Sequence, residues 1–388
     1  MHTDFPLVVS SPRRFVVSLA ALLISLATLA PSRASAATPL AHSTLQAVNP
    51  DGTSPQTWTN QYPITLRGIL LNAPEDLLST DYVPDATSPN NGGQYQIFVQ
   101  ATDPGDFGGT ALYMAQRGRP AAFFYDEDAW AAELARVTAD PETGRPFQPG
   151  DYVEITANWA MHYNGKVNVN EAHNPDPAYD FSVRLLRPAV GLPPAAPLSL
   201  AALVDDTGTP IFDPTRATGG ERWQGARVRL DAIRLADDNA VATWNHPHPE
   251  TLPFGARLVT CTDATGRTFP LRLPRRSLGP APATNRFFSA TGFINQEGSN
   301  TAGYELVVQE IGPVLDIAFE PATGDEGAPS AAVLTYSADY AGYKLEVSDD
   351  SGATWHAPAL AFPTEITVRD AETSPTRFYR LVLPASAD

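Results

Sequence analysis

The residues best suited to metal or acid–base chemistry lie on one stretch of the chain. His162, Glu171 and His173 follow one another closely, and Asp176 comes next. Imidazole and carboxylate groups are ligands that zinc and manganese accept in proteins. No H-E-x-x-H helix surrounds them, however, and polar residues at the end of a hairpin commonly bond nearby backbone. They are therefore weak metal candidates, and the sequence predicts no metal site.

Other polar clusters have simple structural explanations. Trp244-Asn-His-Pro-His248 has two histidines that would face one side of a strand, but the interleaved prolines favour an exposed loop. The acidic groups Asp126–Asp128, Asp205-Asp206 and Asp349-Asp350 offer hard oxygen ligands, yet none has the spacing of an EF-hand loop. Solvated loop carboxylates are the favoured interpretation. Calcium remains an open alternative that we do not predict.

Signatures of covalent or phosphoryl chemistry are missing from the sequence. It contains no G-x-S-x-G elbow, no P-loop and no zinc-metalloprotease helix. The single cysteine, Cys261, cannot form an internal disulfide, and its strand-like surroundings RLVTCTD favour a buried small apolar side chain over a nucleophile. We predict no catalytic residues.

Residues 1–36 have the pattern of an export signal. Arg13-Arg14 precede the apolar run FVVSLAALLISLATLA, and Ala34-Ser35-Ala36 offers a small-x-small cleavage site. The run is short for a membrane span of about 20 residues. A retained anchor and a twin-arginine signal are the alternatives. We expect an exported protein that is secreted, periplasmic or attached to the cell surface, with no membrane span after cleavage.

The stretch Phe147–His173 shows the β architecture most clearly. Apolar and polar residues alternate in DYVEITANWAM and again in KVNVN, which is the period of a strand with one buried face. Asn164-Gly165 stands between the two runs. Because both central residues of a type I′ turn need a positive φ, an Asn-Gly pair in this position predicts a hairpin.

The elements around this hairpin predict a small barrel over residues 61–190. Its order is three strands, one helix, the hairpin and a last strand. A helix between the third and fourth strands is typical of an OB-fold, a small, partly open barrel. A lead-in over residues 37–60 precedes it. The predicted elements are strands at Tyr62–Leu71, Gln94–Ala101 and TALYMAQ, a helix at Asp126–Val137, and a strand at Phe181–Pro188.

A second unit with a similar plan follows over residues 221–318. A Pro-rich linker, residues 191–220, separates the two units. Strand-like runs at RWQGARVRLDAIRL, ARLVTCTD and TFPLRLP lead to a late hairpin, NRFFSATGFINQ with GYELVVQEIG. RRSLGPAPATN stands where the first unit has its helix. The sequence thus predicts a diverged tandem repeat.

Across roughly Tyr62–Ile317, the chain resembles the tandem OB-fold modules that accompany bacterial extracellular nucleases. The resemblance rests on GDYVEITANWAMHYNGKVNVNEA, PAAPLSLAALV, and RWQGARVRLDAIRL with LVTCTDATGRTFPLRL. These motifs imply the fold and the tandem arrangement. No stretch resembles the nuclease domain of that family, so its activity is not implied.

Residues 319–388 predict a third, smaller unit. The segment from Ser348 to Trp355 fits the S-x-D-x-G-x-T-W pattern of the Asp-box, a hairpin element of sialidase-like propellers. There Ser348 and Asp350 would bond the turn backbone, Gly352 would supply the turn and Trp355 would pack beneath it. One copy cannot make a propeller. We predict a fibronectin III- or Ig-like β-sandwich, so that the whole mature chain is all-β.

Two surfaces are candidates for ligand binding, because OB-folds bind oligonucleotides or oligosaccharides across strands two and three. One is the polar face of the first unit. The other is the arginine group of the second, which suits phosphate pairing and base stacking. The candidates are Gln94, Gln96, Phe98, Tyr113, Lys166 and Asn168 in the first unit, and Arg267, Arg272, Arg275, Arg276 and Arg286 in the second.

Three functional hypotheses follow. The leading one is a non-catalytic protein that binds an extracellular polymer, either nucleic acid or polysaccharide. The formal charge of −17 disfavours general attraction to nucleic acid. The first alternative is a structural or adhesion scaffold with a secreted or cell-surface protein partner and no polymer ligand. The second is a metal-assisted hydrolase or a nuclease accessory protein.

Overall fold

The computed structural model describes residues 37–55, 62–84, 92–117, 125–172, 174, 176–246, 257–313, 315–320, 331–336, 344–348, 354, 367–370 and 378–382. Within these residues the protein is mostly β, as the sequence predicts, with one large sheet and one closed five-stranded barrel. The predicted export signal, residues 1–36, lies outside them. None of the described helices has the length and apolar character that a bilayer span requires.

An eight-stranded sheet, here called the N-terminal sheet, occupies the first part of the chain. Its order in space is β6-β7-β4-β3-β2-β5-β8, with β1 paired to β2. The strands are β1 (Thr38–Pro39), β2 (Ile64–Leu70), β3 (Gln94–Ala101), β4 (Gly109–Ala115), β5 (Tyr152–Ala157), β6 (Ala160–Tyr163), β7 (Lys166–Asn170) and β8 (Phe181–Arg187). Only two residues separate β5 from β6, although they lie far apart in this order.

Alternation along the strands buries one apolar face. Val153, Ile155 and Ala157 of β5 are fully buried in the main core of the sheet, as the alternating pattern predicts. Asn164 and Gly165 have φ values of 48° and 91°, so the predicted hairpin turn is confirmed. The short helix α1 (His42–Leu45) also contributes to this core, because Leu45 is fully buried there. The segment expected as a lead-in is therefore partly built into the sheet.

Helix α2 (Glu127–Thr138) covers the sheet where the sequence predicts a helix. The side chain of Asp126 accepts a hydrogen bond from the Ala129 amide at 2.9 Å, which caps the helix start. Trp130 and Val137 are buried against the core. Asp126 caps the helix, and Glu127 and Asp128 lie in its first turn, where the helix dipole favours negative charge.

The second part of the chain forms the closed barrel. Strands β11, β12, β14, β13 and β10 pair in that order, and pairing of β11 with β10 closes the ring. β9 is added alongside β10 in parallel. The elements are β9 (Ala196–Leu198), α3 (Gly219–Trp223), β10 (Arg227–Leu235), α4 (Asp238–Asn245), β11 (Arg257–Thr262), β12 (Thr268–Leu273), β13 (Phe288–Gln296) and β14 (Tyr304–Pro313).

Two expectations for this region are wrong. The segment 191–220 is not merely a linker, because Leu200, Leu203 and Val204 are buried in the barrel core. Trp244 does not lie in an exposed loop: it lies in the last turn of helix α4 and is buried against Phe288. The Asp237 side chain caps that helix by accepting from the Ala240 amide. His246 follows the helix and is exposed, whereas His248 lies outside the described residues.

The C-terminal residues contribute two small antiparallel sheets. β15 (Leu315–Glu320), β16 (Ala331–Tyr336) and β18 (Thr367–Asp370) form one, and β17 (Lys344–Ser348) and β19 (Phe378–Val382) form the other. Ser348 ends β17. The remaining Asp-box positions Asp350, Gly352 and Trp355, and also Asp349, lie outside the described residues.

Candidate functional site: the outer face of the N-terminal sheet

The outer face of β3, β4 and β7 carries most of the polar candidates from the first unit. Strand alternation turns Gln94, Gln96 and Phe98 away from the main core, as predicted. The register places Gln96 opposite Tyr113, and Tyr113 opposite Asn170 of β7. Because β7 alternates in the same way, its outward residues form a row on this face. That row consists of Lys166, Asn168 and Asn170.

The closed barrel covers one end of this face, so that part of the predicted ligand-binding surface is not accessible. Phe98 has only 2% of its surface exposed, and its ring centroid lies 4.6 Å from that of Phe293 on β13. Around this pair lies a separate apolar cluster that joins the two units. Its members are Leu71, Leu77, Leu78, Phe98, Ala111, Phe293 and Val307.

Lys166 is buried at the same junction, with 3% of its surface exposed. Its Nζ donates to Asn295 Oδ1 at 2.8 Å and to Glu297 Oε1 at 2.5 Å. Burial alone would raise the pKa of Glu297, but Lys166 beside it outweighs burial, and the pKa is lowered. Lys166 is thus an interface residue, and its charge is compensated by Glu297.

The other end of the face keeps polar groups that the fold does not use. Gln94, Asn168 and Asn170 have exposed fractions of 0%, 4% and 1%. Both amide atoms of Gln94 and of Asn170, and Oδ1 of Asn168, are buried without a hydrogen-bond partner. Each such atom costs about 1–3 kcal/mol. We call these three residues the amide face.

The arginines of the second unit do not form a free basic patch. Arg272 donates two bonds to the carboxylate of Glu305, at 2.5 and 2.9 Å. Arg267 pairs with Asp206. Arg276 pairs with Asp76 at 3.1 Å, and the backbone amide of Arg275 donates to the carbonyl of Asp76. Arg286 is exposed. Neighbouring carboxylates therefore compensate most of the positive charge that a phosphate-binding surface would need here.

The weak metal candidates are not brought together by the described structure. His162 Nε2 lies 3.1 Å from the carbonyl oxygen of Gly52. His173 lies outside the described residues. Glu171 instead accepts a hydrogen bond from the Tyr125 hydroxyl at 2.9 Å and is fully buried. Burial raises the pKa of Glu171 to about 8, although the Tyr125 bond opposes this shift.

Asp205 has a structural role in its own turn. Its Oδ1 accepts from the amides of Thr207 and Thr209 at 2.8 and 2.9 Å and from the Thr207 hydroxyl. These bonds hold the pKa of Asp205 below its ordinary value. The carboxylate closes its own turn, as Asx residues commonly do.

Sequence reasoning missed a second buried acid, on helix α3. Glu221 is fully buried and accepts from the Tyr304 hydroxyl at 2.8 Å, while its Oε2 has no partner. Burial raises the pKa of Glu221 to about 7, against the opposing effects of Tyr304 and Arg216. Arg216 is itself buried, and burial lowers its pKa to about 10. The sequence does not predict this helix, because α3 is only five residues long and too short to show the spacing of apolar residues that marks a helix.

Comparison with known proteins adds no family. A scan against models of protein families matches none of them, and a search of curated proteins finds no match to this chain. The functional argument therefore depends on the geometry of this chain alone.

Proposed function

We propose that the protein is an exported, non-catalytic polysaccharide-binding protein that uses the amide face. The observation that carries this proposal is the set of buried amide atoms without hydrogen-bond partners in Gln94 on β3 and in Asn168 and Asn170 on β7, the two strands that flank β4. Amide groups both donate and accept hydrogen bonds, which matches the mixed donor and acceptor character of sugar hydroxyls. Positions that weaken the fold are retained where function needs them.

The strand order supports an OB-type architecture for both units. In the closed barrel, β10 to β14 correspond to strands one to five of an OB-fold. They pair in the order 1-2-3-5-4-1, and strands three and five (β12 and β14) are parallel. The strands β2, β3, β4 and β7 of the N-terminal sheet have the same order when β5 and β6 are counted together as strand four. Here strands three and five are β4 and β7, and they also pair in parallel. Helix α2 stands between strands three and four. In this alignment the amide face lies on strands two and five of an OB-fold.

The charges favour a neutral polymer over nucleic acid. Lys166 is the only lysine or arginine in the strands of the outer face, and Glu297 compensates it. Arg267, Arg272 and Arg276 are paired with carboxylates. Because nucleic-acid affinity depends on neutralising phosphates, a face without free positive charge gains little from DNA or RNA.

A scaffold without a polymer ligand is the second candidate, and the junction between the two units favours it. Phe98 and Lys166 are both buried there by the closed barrel, which joins the units over an apolar cluster and an ion pair. Such a junction suits a spacer. We also propose that the C-terminal residues form a fibronectin III- or Ig-like sandwich. Its role would be attachment, whether the protein binds a polysaccharide or is a scaffold.

A glycan array with the purified protein separates the candidates. The proposal predicts binding to one class of neutral polysaccharide and loss of that binding in Asn170→Ala. Because the amides are buried, binding requires local opening of the face, and association should be slow. Binding to no glycan would favour the scaffold. A shift of single-stranded DNA at low salt that Arg272→Ala abolishes would favour nucleic acid instead.

A further inference from the structure

Three carboxylates from three separate elements of the N-terminal sheet converge beside α2. Glu133 lies on α2, Glu171 directly follows β7 and Asp180 directly precedes β8. One oxygen of each lies within 4.8 Å of the corresponding oxygens of the other two. The fold therefore holds three acidic groups together, although their ionised forms repel one another at this distance.

Glu171 gives this cluster an unused ligand atom. The residue has 0% of its surface exposed, and its Oε2 accepts the Tyr125 hydroxyl bond. Its Oε1 is buried and has no hydrogen-bond partner. A buried carboxylate oxygen without a partner is among the most costly arrangements in a protein interior, unless a cation or a proton compensates it.

Arg136 supplies positive charge to only part of the cluster. Its Nε and Nη2 donate to Glu133 Oε2 at 2.9 and 2.5 Å, and its Nη1 donates to the carbonyl of Phe181. Nη2 is 3.8 Å from Asp180 and makes no hydrogen bond to Glu171. With all three carboxylates ionised, one guanidinium leaves two negative charges, which is the charge a divalent cation neutralises.

We propose that Glu133, Glu171 and Asp180 bind a hard divalent cation, with calcium as the best fit. An all-oxygen ligand set suits calcium, magnesium and manganese, whereas structural zinc sites use cysteine and histidine. Calcium tolerates irregular geometry and completes its shell with water. The cation would tie α2 to the segments around β7 and β8. This site is independent of the amide face and of polysaccharide binding.

Terbium luminescence tests the site directly, because Tb³⁺ replaces calcium at oxygen sites and is sensitised by nearby aromatic rings. Tyr125 bonds Glu171, and its ring centroid is 5.9 Å from that of Trp130. We expect saturable luminescence on excitation at the aromatic band, and displacement by CaCl₂. We also expect Tm to rise by roughly 5 °C at a calcium concentration one hundred times Kd. An unchanged Tm between EDTA and millimolar calcium, magnesium and manganese, without saturable luminescence, would overturn the proposal.

Matched variants locate the signal. Glu171→Gln keeps an acceptor for Tyr125 but loses the charge, and it should weaken Tb³⁺ binding roughly tenfold or more. Asp128→Asn removes an exposed carboxylate from the same helix and should leave binding unchanged. If Glu171→Gln does not fold, as judged by circular dichroism, Asp180→Asn decides in its place. Equal luminescence in the cluster variant and in Asp128→Asn would place the ion elsewhere and contradict the site.

Discussion

The ammonium of Lys166 lies 2.5 Å from the carboxylate of Glu297, and this pair links the N-terminal sheet to the closed barrel. The two partners differ in exposure: the Lys166 side chain has 3% of its surface exposed and that of Glu297 has 34%. Asn295 accepts a second bond from the same ammonium. Because the lysine depends on these partners, the units are coupled through a charge that water cannot easily reach.

Removing either partner should destabilise the protein, but unequally. Glu297→Ala leaves a buried ammonium, and we expect the free energy of unfolding to fall by about 3 kcal/mol. Lys166→Met leaves a carboxylate that remains partly hydrated, and we expect a loss of about 1 kcal/mol. Urea denaturation of both variants measures the difference. A larger loss for Lys166→Met than for Glu297→Ala would contradict this assignment of the buried charge.

The position of Lys166 shows how far sequence reasoning reaches. Alternation in KVNVN correctly places Lys166 and Asn168 on the outward face, because the period of a strand is a local property. The alternation does not show that the closed barrel covers part of this face. What covers it comes from β13 and β14, about 130 residues later. No local pattern in either segment reveals that the two surfaces are complementary.

The contact between the rings of Phe98 and Phe293 should make the two units unfold together. Phe98→Ala removes a buried ring from the junction, and we expect a loss of about 3 kcal/mol. A double-mutant cycle with Phe293→Ala should give a coupling energy of about 1 kcal/mol. Differential scanning calorimetry of the wild type should show one transition for the sheet and barrel. Two resolved transitions in the wild type, or additive losses in the cycle, would contradict a shared junction.

Glu221 should make stability fall as the pH rises. Its pKa is about 7 in the folded protein and near 4.5 in the unfolded chain, so the folded state holds the extra proton between these values. The contribution of Glu221 to the free energy of unfolding is complete below pH 4.5 and is lost as the pH rises through 7. Its size is about 1–3 kcal/mol. The pKa of Glu171 is also raised in the folded protein, to about 8, so its contribution to stability is likewise lost as the pH rises.

The variant Glu221→Gln isolates this effect. It removes the titrating group and keeps an acceptor for the Tyr304 hydroxyl, so its free energy of unfolding should change less between pH 5 and pH 8 than that of the wild type. Denaturation at several pH values in the presence of EDTA provides the comparison. Parallel curves for the two proteins across this range would show that Glu221 is ionised in the folded protein.

Cys261 should be chemically inert while the protein is folded. Burial raises the pKa of its thiol to about 12, and Sγ donates to the carbonyl of Phe269 at 3.3 Å. Ellman's reagent at pH 8 should therefore react only after addition of denaturant. Rapid labelling of the native protein would contradict the buried position that both the sequence and the structure give this residue.

Regular local patterns were predictable, and contacts between distant segments were not. Helix α2 was predicted because Asp126 caps an amphipathic run. Helix α4 has a usable cap signal in Asp237, but the prolines and histidines that follow it favour a loop. The convergence of Glu133, Glu171 and Asp180 depends on the topology of the N-terminal sheet. No spacing in the sequence signals it.

The most direct test of polysaccharide binding compares stability with affinity at the amide face. Asn170→Leu and Gln94→Met replace unpartnered buried amides with apolar side chains of similar size. Their free energies of unfolding should stay level or rise by about 1 kcal/mol, because unsatisfied polar groups are removed. The glycan signal, measured by array and by calorimetry, should be lost. Unchanged glycan binding, or a clear loss of stability, would show that these amides serve the fold instead of a ligand.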